Sequence, residues 1–539
     1  MLRRRAPPKM PAGGFSVSSV APPPPGTEFE AKITPAVVMS CVMAATGGLM
    51  FGYDIGVSGG VTSMDDFLGE FFPSVLQQLD GSRQSTYCKY DNQGLQLFTS
   101  SLYIAGLVAT LFASYTTRRF GRRFTMRMAG ILFVIGAIFN GSAQNLIMLI
   151  VGRIFLGFGV GFANQVIRYS LSRSPVPVGD VAGEDPRRAQ HPVPAQHHHW
   201  HPLRRGLIIF SMGLEHFYLC AMCHYRIRPW GWRLSLSLAG VPGALLVAGA
   251  LIVVETPNSL IERGRLEEGK AALKKIRGTD NVEPEFNSIV EASLTAHHGV
   301  KHPPFRDLLR RRNRPQLIVT VFLQIFQNLT GISAIMFYAP VLLQTLGFSS
   351  DASLYSAMIT GAVNALSTLV SVYAVDRVGR RMLLLEGGAY MFLTQAAMAV
   401  VFRIKVTDEA DGIDRAWATM VVAMVCTFVF SFAWSWGPLG WLIPSEIFPL
   451  DTRSGGQSVA VCANLLFTFV MGQTFLSMLC RLKYAIFAFF SGCIFLMSLF
   501  VFFFLPETKK VPIEMMTERA WRQHWFWKRF FMDDDDGNP

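Results

Sequence analysis

Two arginine-rich turns, "RRFGRR" at 118–123 and "DRVGRR" at 376–381, occur at corresponding positions in the two halves of this sequence. Each turn joins one long apolar stretch to the next. Glycine permits a tight reversal of the chain, and arginine side chains are stable at the level of water and lipid headgroups. The repetition predicts two related halves of six membrane spans each, and parallel repeats of this kind place a substrate site between them near the bilayer midplane.

The composition of the chain indicates a membrane protein. Its 539 residues are 51% hydrophobic and only 16% charged, which is too apolar for a water-soluble protein of this length. A helix needs about 20 apolar residues to cross the hydrocarbon core. We therefore predict an all-α membrane protein. The predicted spans are 36–58, 94–115, 124–143, 147–166, 232–254, 316–340, 353–375, 382–402, 416–438, 457–479 and 484–505, with a doubtful fifth span near 206–225.

The net charge of +12 comes from basic residues in the turns and tails. An excess of Lys and Arg in short loops marks the cytoplasmic side, so the charge sets orientation and does not indicate a nucleic-acid partner. The N-terminus has no apolar core typical of a cleaved signal peptide. The predicted organisation is a cytoplasmic tail at 1–30, an N-terminal domain at 31–255 with an extracellular lid loop at 59–93, a cytoplasmic helical linker at 256–315, a C-terminal domain at 316–505 and a cytoplasmic tail at 506–539.

Asp54 and Arg153 are charged residues inside predicted spans. Charges at this depth are costly and mark functional sites. Burial favours the protonated form of a carboxyl group, whereas a nearby guanidinium favours the carboxylate. We expect Asp54 to bind and release a proton as its distance from Arg153 changes. A static buried ion pair is the alternative.

Uncharged polar side chains are frequent in the spans of the second half. Amides both donate and accept hydrogen bonds, and an indole can lie against the apolar face of a sugar ring. This set suits a substrate covered with hydroxyl groups and argues against an ionic one, although hydrogen bonding between helices would explain any single amide. The residues are Gln324, Gln327, Asn328, Asn364, Trp441 and Asn464.

Cys88 and Cys480 belong to different halves, yet both fall on the predicted extracellular side. A disulfide persists in that environment. The sequence is compatible with a disulfide between them and with two free thiols.

Several motifs together resemble the sugar porter branch of the major facilitator superfamily, and within it the plant monosaccharide/proton symporters. They are "GYDIGVSGGVTSMDDFL", "RRFGRR", "VGRIFLGFGVGF", "ETPNSLIERG", "DRVGRR", "WGPLGWLIPSEIFPLDTRS" and "PETK". The resemblance covers about 30–165 and 230–515. It implies the major facilitator fold, with twelve transmembrane helices in two six-helix bundles.

The resemblance also implies roles for individual residues. Asp54 corresponds to the proton acceptor and Arg153 to its partner, and a disulfide matching Cys88 and Cys480 ties the extracellular lid to the other half. The implied sugar contacts are Gln327, Asn328, Asn364, Trp441 and Asn464.

Two positions of the implied sugar site depart from the family pattern. Asn328 follows Gln327 where paired glutamines are usual, and "TGIS" with Ser333 replaces the usual "TGIN". Ser333 keeps a hydroxyl group but lacks the reach of an amide. Ser333 is included in the predicted site, and the family's affinity and sugar preference are not carried over to this chain.

A cytoplasmic gate is expected at the arginine-rich turns. In the second half, Glu446 and Arg453 can reach Arg380 and Arg381 when the inner side is closed, in a surface network of moderate strength. In the first half, Arg122 and Arg123 take the corresponding places. The acidic residue and arginine that would face them belong to a stretch that 166–229 replaces. We therefore expect a less stable outward-facing state.

The segment 166–229 departs most from the family pattern. It is rich in His, Pro and Arg, as in "AQHHHWHPLRRG" at 195–206, a composition that does not form a membrane helix. A reading-frame fault or retained noncoding sequence, a genuine loop, and a metal site are the three explanations. The flanking prolines and arginines provide no regular spacing to aim the histidine rings, so we expect no metal or other cofactor.

The predicted function is proton-coupled uptake of hexose across the plasma membrane by alternating access, in a monomer with both termini in the cytoplasm. The alternatives are a facilitative sugar uniporter, a sugar sensor, and an inactive product in which the fifth span is disrupted. An enzyme is not expected, because the sequence contains no phosphate-binding loop and no nucleophile constellation.

Overall fold

The computed structural model describes residues 35–80, 86–172, 230–253, 255–287, 289–291, 307–345, 350–405, 414–449, 452–509, 511 and 516–531. Regular structure within these ranges is helical. In the N-terminal half the helices are α1 (Pro35–Val61), α2 (Asp65–Phe71), α3 (Pro73–Asp80), α4 (Gln93–Phe120), α5 (Arg122–Gly141), α6 (Leu146–Ser172), α7 (Gly231–Leu238) and α8 (Gly240–Ile252).

Two linker helices and the C-terminal half follow. The linker contains α9 (Pro257–Glu262) and α10 (Leu266–Arg277). The second half contains α11 (Arg314–Leu329), α12 (Ile332–Thr345), α13 (Ser350–Val378), α14 (Arg380–Lys405), α15 (Arg415–Trp434), α16 (Trp436–Ile447), α17 (Arg453–Leu482) and α18 (Ala485–Phe504). Short helical turns occur at Thr86–Cys88, Arg311–Asn313, Thr517–Trp521 and Trp527–Phe530.

Ten segments of the described residues are long and apolar enough to cross a membrane. They match ten of the predicted spans, and the remaining prediction, 36–58, falls within the 27-residue helix α1. Three of these segments combine two consecutive helices: α7 with α8, α11 with α12, and α15 with α16. The doubtful span near 206–225 lies outside the described residues, so a total of twelve stays a prediction.

The two arginine-rich turns have the same backbone geometry. Gly121 separates α4 from α5 with φ of 87°, and Gly379 separates α13 from α14 with φ of 108°. Glycine adopts these angles without the steric cost that a Cβ would add. Each pair of spans therefore reverses direction through a single residue, which leaves the arginines at the start of the following helix.

Helix α6 packs closely against α4 through glycine. A Cβ at Gly157 would lie 2.3 Å from the carbonyl oxygen of Leu102, and one at Gly161 would lie 2.4 Å from that of Gly106. Small residues at this spacing let two backbones approach. This packing holds Arg153, one helical turn before Gly157, against the other helices of the first half.

The span formed by α11 and α12 is interrupted. Gly331, between the helices, has φ of 86°, and Tyr338 leaves helical geometry two residues before Pro340. Proline lacks an N–H and its ring clashes with the carbonyl group four residues earlier, so a helix bends there. Discontinuous spans line the binding sites of many transporters, and the break here lies between Asn328 and Ser333.

Candidate functional site

A cavity between the halves contains every residue predicted to contact sugar. Six helices of the second half surround it, namely α11, α12, α13, α15, α16 and α17, and α1 contributes two residues from the first half. Among the described residues that line the cavity, none is charged. The predicted residues in its wall are Gln327, Asn328, Ser333, Asn364, Trp441 and Asn464.

Gln327 and Asn464 belong to a buried amide network. The Gln327 side chain donates to the carbonyl oxygens of Trp436 (3.1 Å) and Gly437 (3.2 Å). Its Oε1 accepts a hydrogen bond from Asn464 at 3.1 Å. Asn464 also donates to Gln324, which is fully buried behind the cavity wall and does not line it. Gln324 therefore forms hydrogen bonds between helices, which is the alternative role that the sequence analysis allowed for any one amide.

Asn328 organises two hydroxyl groups at the cavity wall. Its Oδ1 accepts from Ser333 and from Thr468, both at 2.9 Å, and its Nδ2 donates to the carbonyl oxygen of Gln324 at 3.1 Å. The amide is thus engaged within the protein, and the two hydroxyl groups have lone pairs left to accept from a ligand. The sequence analysis did not include Thr468, although it lies one helical turn after Asn464.

Apolar side chains also line the cavity. Phe51 and Ile55 of α1 lie there, together with Phe337 and Phe432. The sequence analysis did not include these residues, because Phe and Ile are ordinary in a membrane span. Ile55 directly follows Asp54, so the helix that contacts the cavity also contains the acidic residue.

Asp54 and Arg153 form a buried ion pair. Arg153 Nη1 contacts Asp54 Oδ1, and Arg153 Nη2 donates to Ser58 Oγ at 2.6 Å. Arg153 is fully buried and Asp54 is 2% exposed. The guanidinium lies 4.0 Å above the ring of Phe98, a cation–π contact. Asp54 Oδ2 has no hydrogen-bond partner among the described residues, so one carboxylate oxygen remains available for a proton.

Cys88 and Cys480 form a disulfide that joins the lid segment to α17. Around it, Ser477 of α17 donates to Asp91 at 2.7 Å, and Gln96 donates to Ser477 at 3.1 Å. We call the face of the molecule that contains this disulfide the lid side. Further hydrogen bonds on the lid side join the two halves.

Tyr90 adds a further contact on the lid side. Its hydroxyl group donates to Gln344 of α12. Burial, with a contribution from Asp65, raises the pKa of Tyr90 above its ordinary value. The hydroxyl therefore stays protonated at physiological pH and remains a donor.

The opposite face, which we call the arginine side, contains the expected gate in part. Glu446 pairs with Arg380 at 3.0 Å, as expected. Arg453 and Arg381 are expected to join this network when the inner side is closed, and in the structure both contact backbone carbonyl groups. Arg453 donates to the carbonyl oxygen of Phe448, because both lie at the α16–α17 junction, and Arg381 donates to that of Phe502.

In the first half of the arginine side, the Arg123 side chain donates to the carbonyl oxygen of Leu251 at 2.7 Å. The backbone N–H of Arg122 donates to Glu255 at 3.0 Å. The 166–229 stretch expected to face these arginines lies almost wholly outside the described residues.

Glu255 and Glu507 have equivalent roles that the sequence analysis did not assign. Glu507 accepts the backbone N–H groups of Arg380 and Arg381, both at 3.1 Å, as Glu255 accepts that of Arg122. A carboxylate is stabilised at a helix N-terminus by the unpaired N–H groups there. The sequence motifs that could have indicated these roles are "ETP", which contains Glu255, and "PETK", which contains Glu507.

The described residues contain no group of three or more His, Cys, Asp or Glu side chains arranged for a metal ion. The histidines at 197–199 and 201 lie outside the described residues, so their ligand capacity stays a sequence hypothesis.

Comparison with known protein families identifies the chain. The family model "Sugar (and other) transporter" matches residues 40–173 and 210–520. The match is interrupted between 173 and 210, a narrower range than the atypical segment 166–229. The interruption contains the histidine-rich stretch "AQHHHWHPLRRG".

Relatives and solved structures agree with this match. The chain is 69% identical over 530 residues to "Sugar transport protein MST4" of Oryza sativa subsp. japonica, covering 97% of both chains. It is 60% identical over 535 residues to "Sugar transport protein 13" of Arabidopsis thaliana, covering 98% and 96%. Its fold is similar to that of the proton:xylose symporter XylE bound to 6-bromo-6-deoxy-D-glucose, with a TM-score of 0.68 and 23% identity over 88% and 96% of the chains. The chain belongs to the sugar transporter family and has the fold of XylE, a transporter of the major facilitator superfamily.

Proposed function

We propose that this sugar transporter takes up hexose across the plasma membrane in symport with protons, by alternating access. The observation that carries the proposal is the buried ion pair between Arg153 of α6 and Asp54, which lies on the helix that also lines the uncharged cavity. Charges inside a membrane span are costly unless they serve a function. XylE, whose fold is similar, is described as a proton:xylose symporter.

The character of the cavity supports a hexose as the substrate. The hydroxyl groups of Ser333 and Thr468 and the amides of Asn364 and Asn464 suit a ligand covered with hydroxyl groups. Trp441 provides a flat apolar surface for a sugar ring. The absence of charged side chains among the described lining residues argues against sugar phosphates and sugar acids.

The contacts of Asp54 support proton coupling. Protonation removes the charge that attracts Arg153, which leaves the guanidinium with Ser58 and Phe98 as neighbours. Because Ile55 and Phe51 lie on the same helix as Asp54, a movement of α1 changes the cavity wall. Sugar binding and protonation thereby favour the same displacement of α1, and free energy passes between them.

Alternating access uses the two faces in turn. Contacts on the lid side join α4 and the lid segment to α12 and α17, so this side is closed in the structure. Opening it requires these hydrogen bonds to separate while the arginine side closes. We propose that the arginine side and both termini face the cytoplasm, according to the distribution of Lys and Arg, and that a monomer contains the complete pathway.

The first prediction concerns Asp54. Replacing Asp54 with Asn keeps the size of the side chain and removes its titration, so we expect uptake to lose its dependence on external pH and on the proton gradient. Uptake of labelled glucose in a yeast strain without hexose transporters, at several pH values and with an uncoupler, measures this. Glu386→Gln is the matched control, because Glu386 is an exposed carboxylate in a predicted span.

Two results would contradict this assignment. Asp54→Asn transporters that still accumulate glucose with an unchanged pH profile would remove Asp54 as the coupling residue. Uptake by the unsubstituted chain that never exceeds equilibrium would identify a facilitative uniporter.

A transport-deficient product is the second candidate. The observation that favours it is the interruption of the family match between residues 173 and 210, where the fifth span is expected.

A further inference from the structure

A second cavity lies on the arginine side of the first half, away from the sugar cavity. It is bounded by the start of α5, the end of α8 and the linker helices α9 and α10. Its volume of about 680 Å³ leaves ample room for a phosphate-sized group. Because its walls come from both the membrane domain and the linker, a ligand there would contact both.

The charged groups of this cavity are predominantly basic. Two of its arginines are paired: Arg263 with Glu255 at 3.4 Å, and Arg265 with Glu268 at 2.5 Å. The other three cations in its wall form no ion pair with any described residue. These three are Arg123, Arg127 and Lys275.

Arg127 is the cation that distinguishes this half from the other. It is half-buried, and the contact found for its side chain is a hydrogen bond from Nε to the carbonyl oxygen of Arg123 at 3.3 Å. In the repeated sequence of the second half, Arg123 corresponds to Arg381, but Arg127 corresponds to Leu385. The first half therefore has one more positive charge than the second at this position, and that charge lies in the wall of this cavity.

The rim of the cavity is apolar and exposed. Phe124, Leu251 and Ile252 line it, and Ile252 is 66% exposed. Leu251 and Ile252 end a membrane-spanning segment, so the rim continues the lipid-facing surface of the protein. A ligand that fits both parts of the cavity has an anionic group and hydrocarbon chains.

We propose that this cavity binds the headgroup of one anionic phospholipid. Its phosphate lies near Arg123, Arg127 and Lys275, and its acyl chains follow the apolar rim into the bilayer. Basic pockets beside membrane helices on the cytoplasmic side attract such headgroups. The bound lipid joins α5 to α10 and holds the linker against the first half, which stabilises the folded transporter.

The test compares the purified full chain in nanodiscs of phosphatidylcholine alone and with phosphatidylglycerol added. We expect phosphatidylglycerol to raise the midpoint of thermal unfolding by about 3 °C or more. Arg127→Gln should remove most of this rise, and Lys275→Gln, at an exposed position that folding does not require, should reduce it. Native mass spectrometry should show one retained phosphatidylglycerol, lost in Arg127→Gln.

Arg119→Gln is the matched control. Arg119 lies in the same arginine-rich turn, at the end of α4, and is exposed, but it does not line the cavity. This variant should keep the full rise. An equal loss of the rise in Arg119→Gln would overturn the proposal in favour of general surface charge. Stabilisation by inorganic phosphate alone, or equal midpoints in both lipid compositions, would also overturn it.

Discussion

At the scale of single residues, the cavity is organised by hydrogen bonds within the protein. Asn328 holds the hydroxyl groups of Ser333 and Thr468, and Gln327 joins Asn464 to the backbone of α16. A buried amide that loses its partner costs about 1–3 kcal/mol. We therefore expect substrate affinity to depend on residues that position other side chains as well as on those proposed to contact the sugar.

A second prediction follows for Gln327. Gln327→Ala removes the acceptor of Asn464 and the link to α16, so we expect the KM for glucose to rise roughly 10-fold, equivalent to about 1.4 kcal/mol. Concentration-dependent uptake measures it. Gln316→Ala is the control, because Gln316 is buried in the same helix but does not line the cavity. Equal KM values for the two variants would exclude a role for Gln327 in the site.

At the scale of helices, closure of the lid side depends on the contact between α1 and α12. A Cβ at Gly59 would lie 2.6 Å from the carbonyl oxygen of Phe337, closer than packed atoms allow. Phe337 directly precedes Tyr338, where α12 leaves helical geometry. A glycine at position 59 is therefore required for the two helices to meet.

The third prediction concerns this contact. Gly59→Ala inserts a methyl group against backbone, and overpacking of this kind costs about 1–3 kcal/mol. Because the cost applies only when the lid side is closed, we expect uptake to fall at least about fivefold at normal surface expression. In the matched control, Gly472→Ala, the new Cβ would lie 3.4 Å from Ser100 Cβ, an ordinary contact, and uptake should be retained. Normal uptake by Gly59→Ala would show that this contact does not form during transport.

At the scale of the whole molecule, the two halves repeat one plan with different partners. Each arginine-rich turn has a glycine with positive φ and a glutamate that accepts backbone N–H groups, Glu255 in one half and Glu507 in the other. The disulfide between Cys88 and Cys480 joins the halves on the lid side. The arginine-rich turns of the two halves thus share one arrangement, whereas the segment 166–229 has no counterpart in the repeated plan.

The fourth prediction tests that segment. We expect a chain in which 166–229 is replaced by the corresponding segment of the rice relative to transport labelled glucose in hexose-transport-deficient yeast faster than the unaltered chain. The reason is that the replacement restores a continuous fifth span. Immunoblotting of the plasma-membrane fraction corrects for expression. Equal rates per molecule would show that the segment is compatible with transport.

Much of the fold could be predicted because its determinants are local. The length of a span and the position of an arginine-rich turn can be recognised from residues that are close together in the sequence. The predicted spans agree with the helices found. The candidate site was predicted from polar side chains whose presence in a span has few explanations, such as Asp54 and Asn464. Phe51 and Ile55 were not predicted to line the cavity. An apolar residue in a span can face lipid, the protein core or a cavity, and the sequence pattern is the same in all three cases.

The sequence by itself therefore determined the membrane class, the two-fold repeat and the set of polar residues available for transport. Only the tertiary structure decided which of these polar residues meet. It brought Asp54 to Arg153 across 99 residues, placed Gln324 behind the cavity and Gln327 in its wall, and left Arg127 beside an open cavity. The physical reason is that hydrogen bonds and ion pairs depend on distances of a few ångströms, which the packing of whole helices sets.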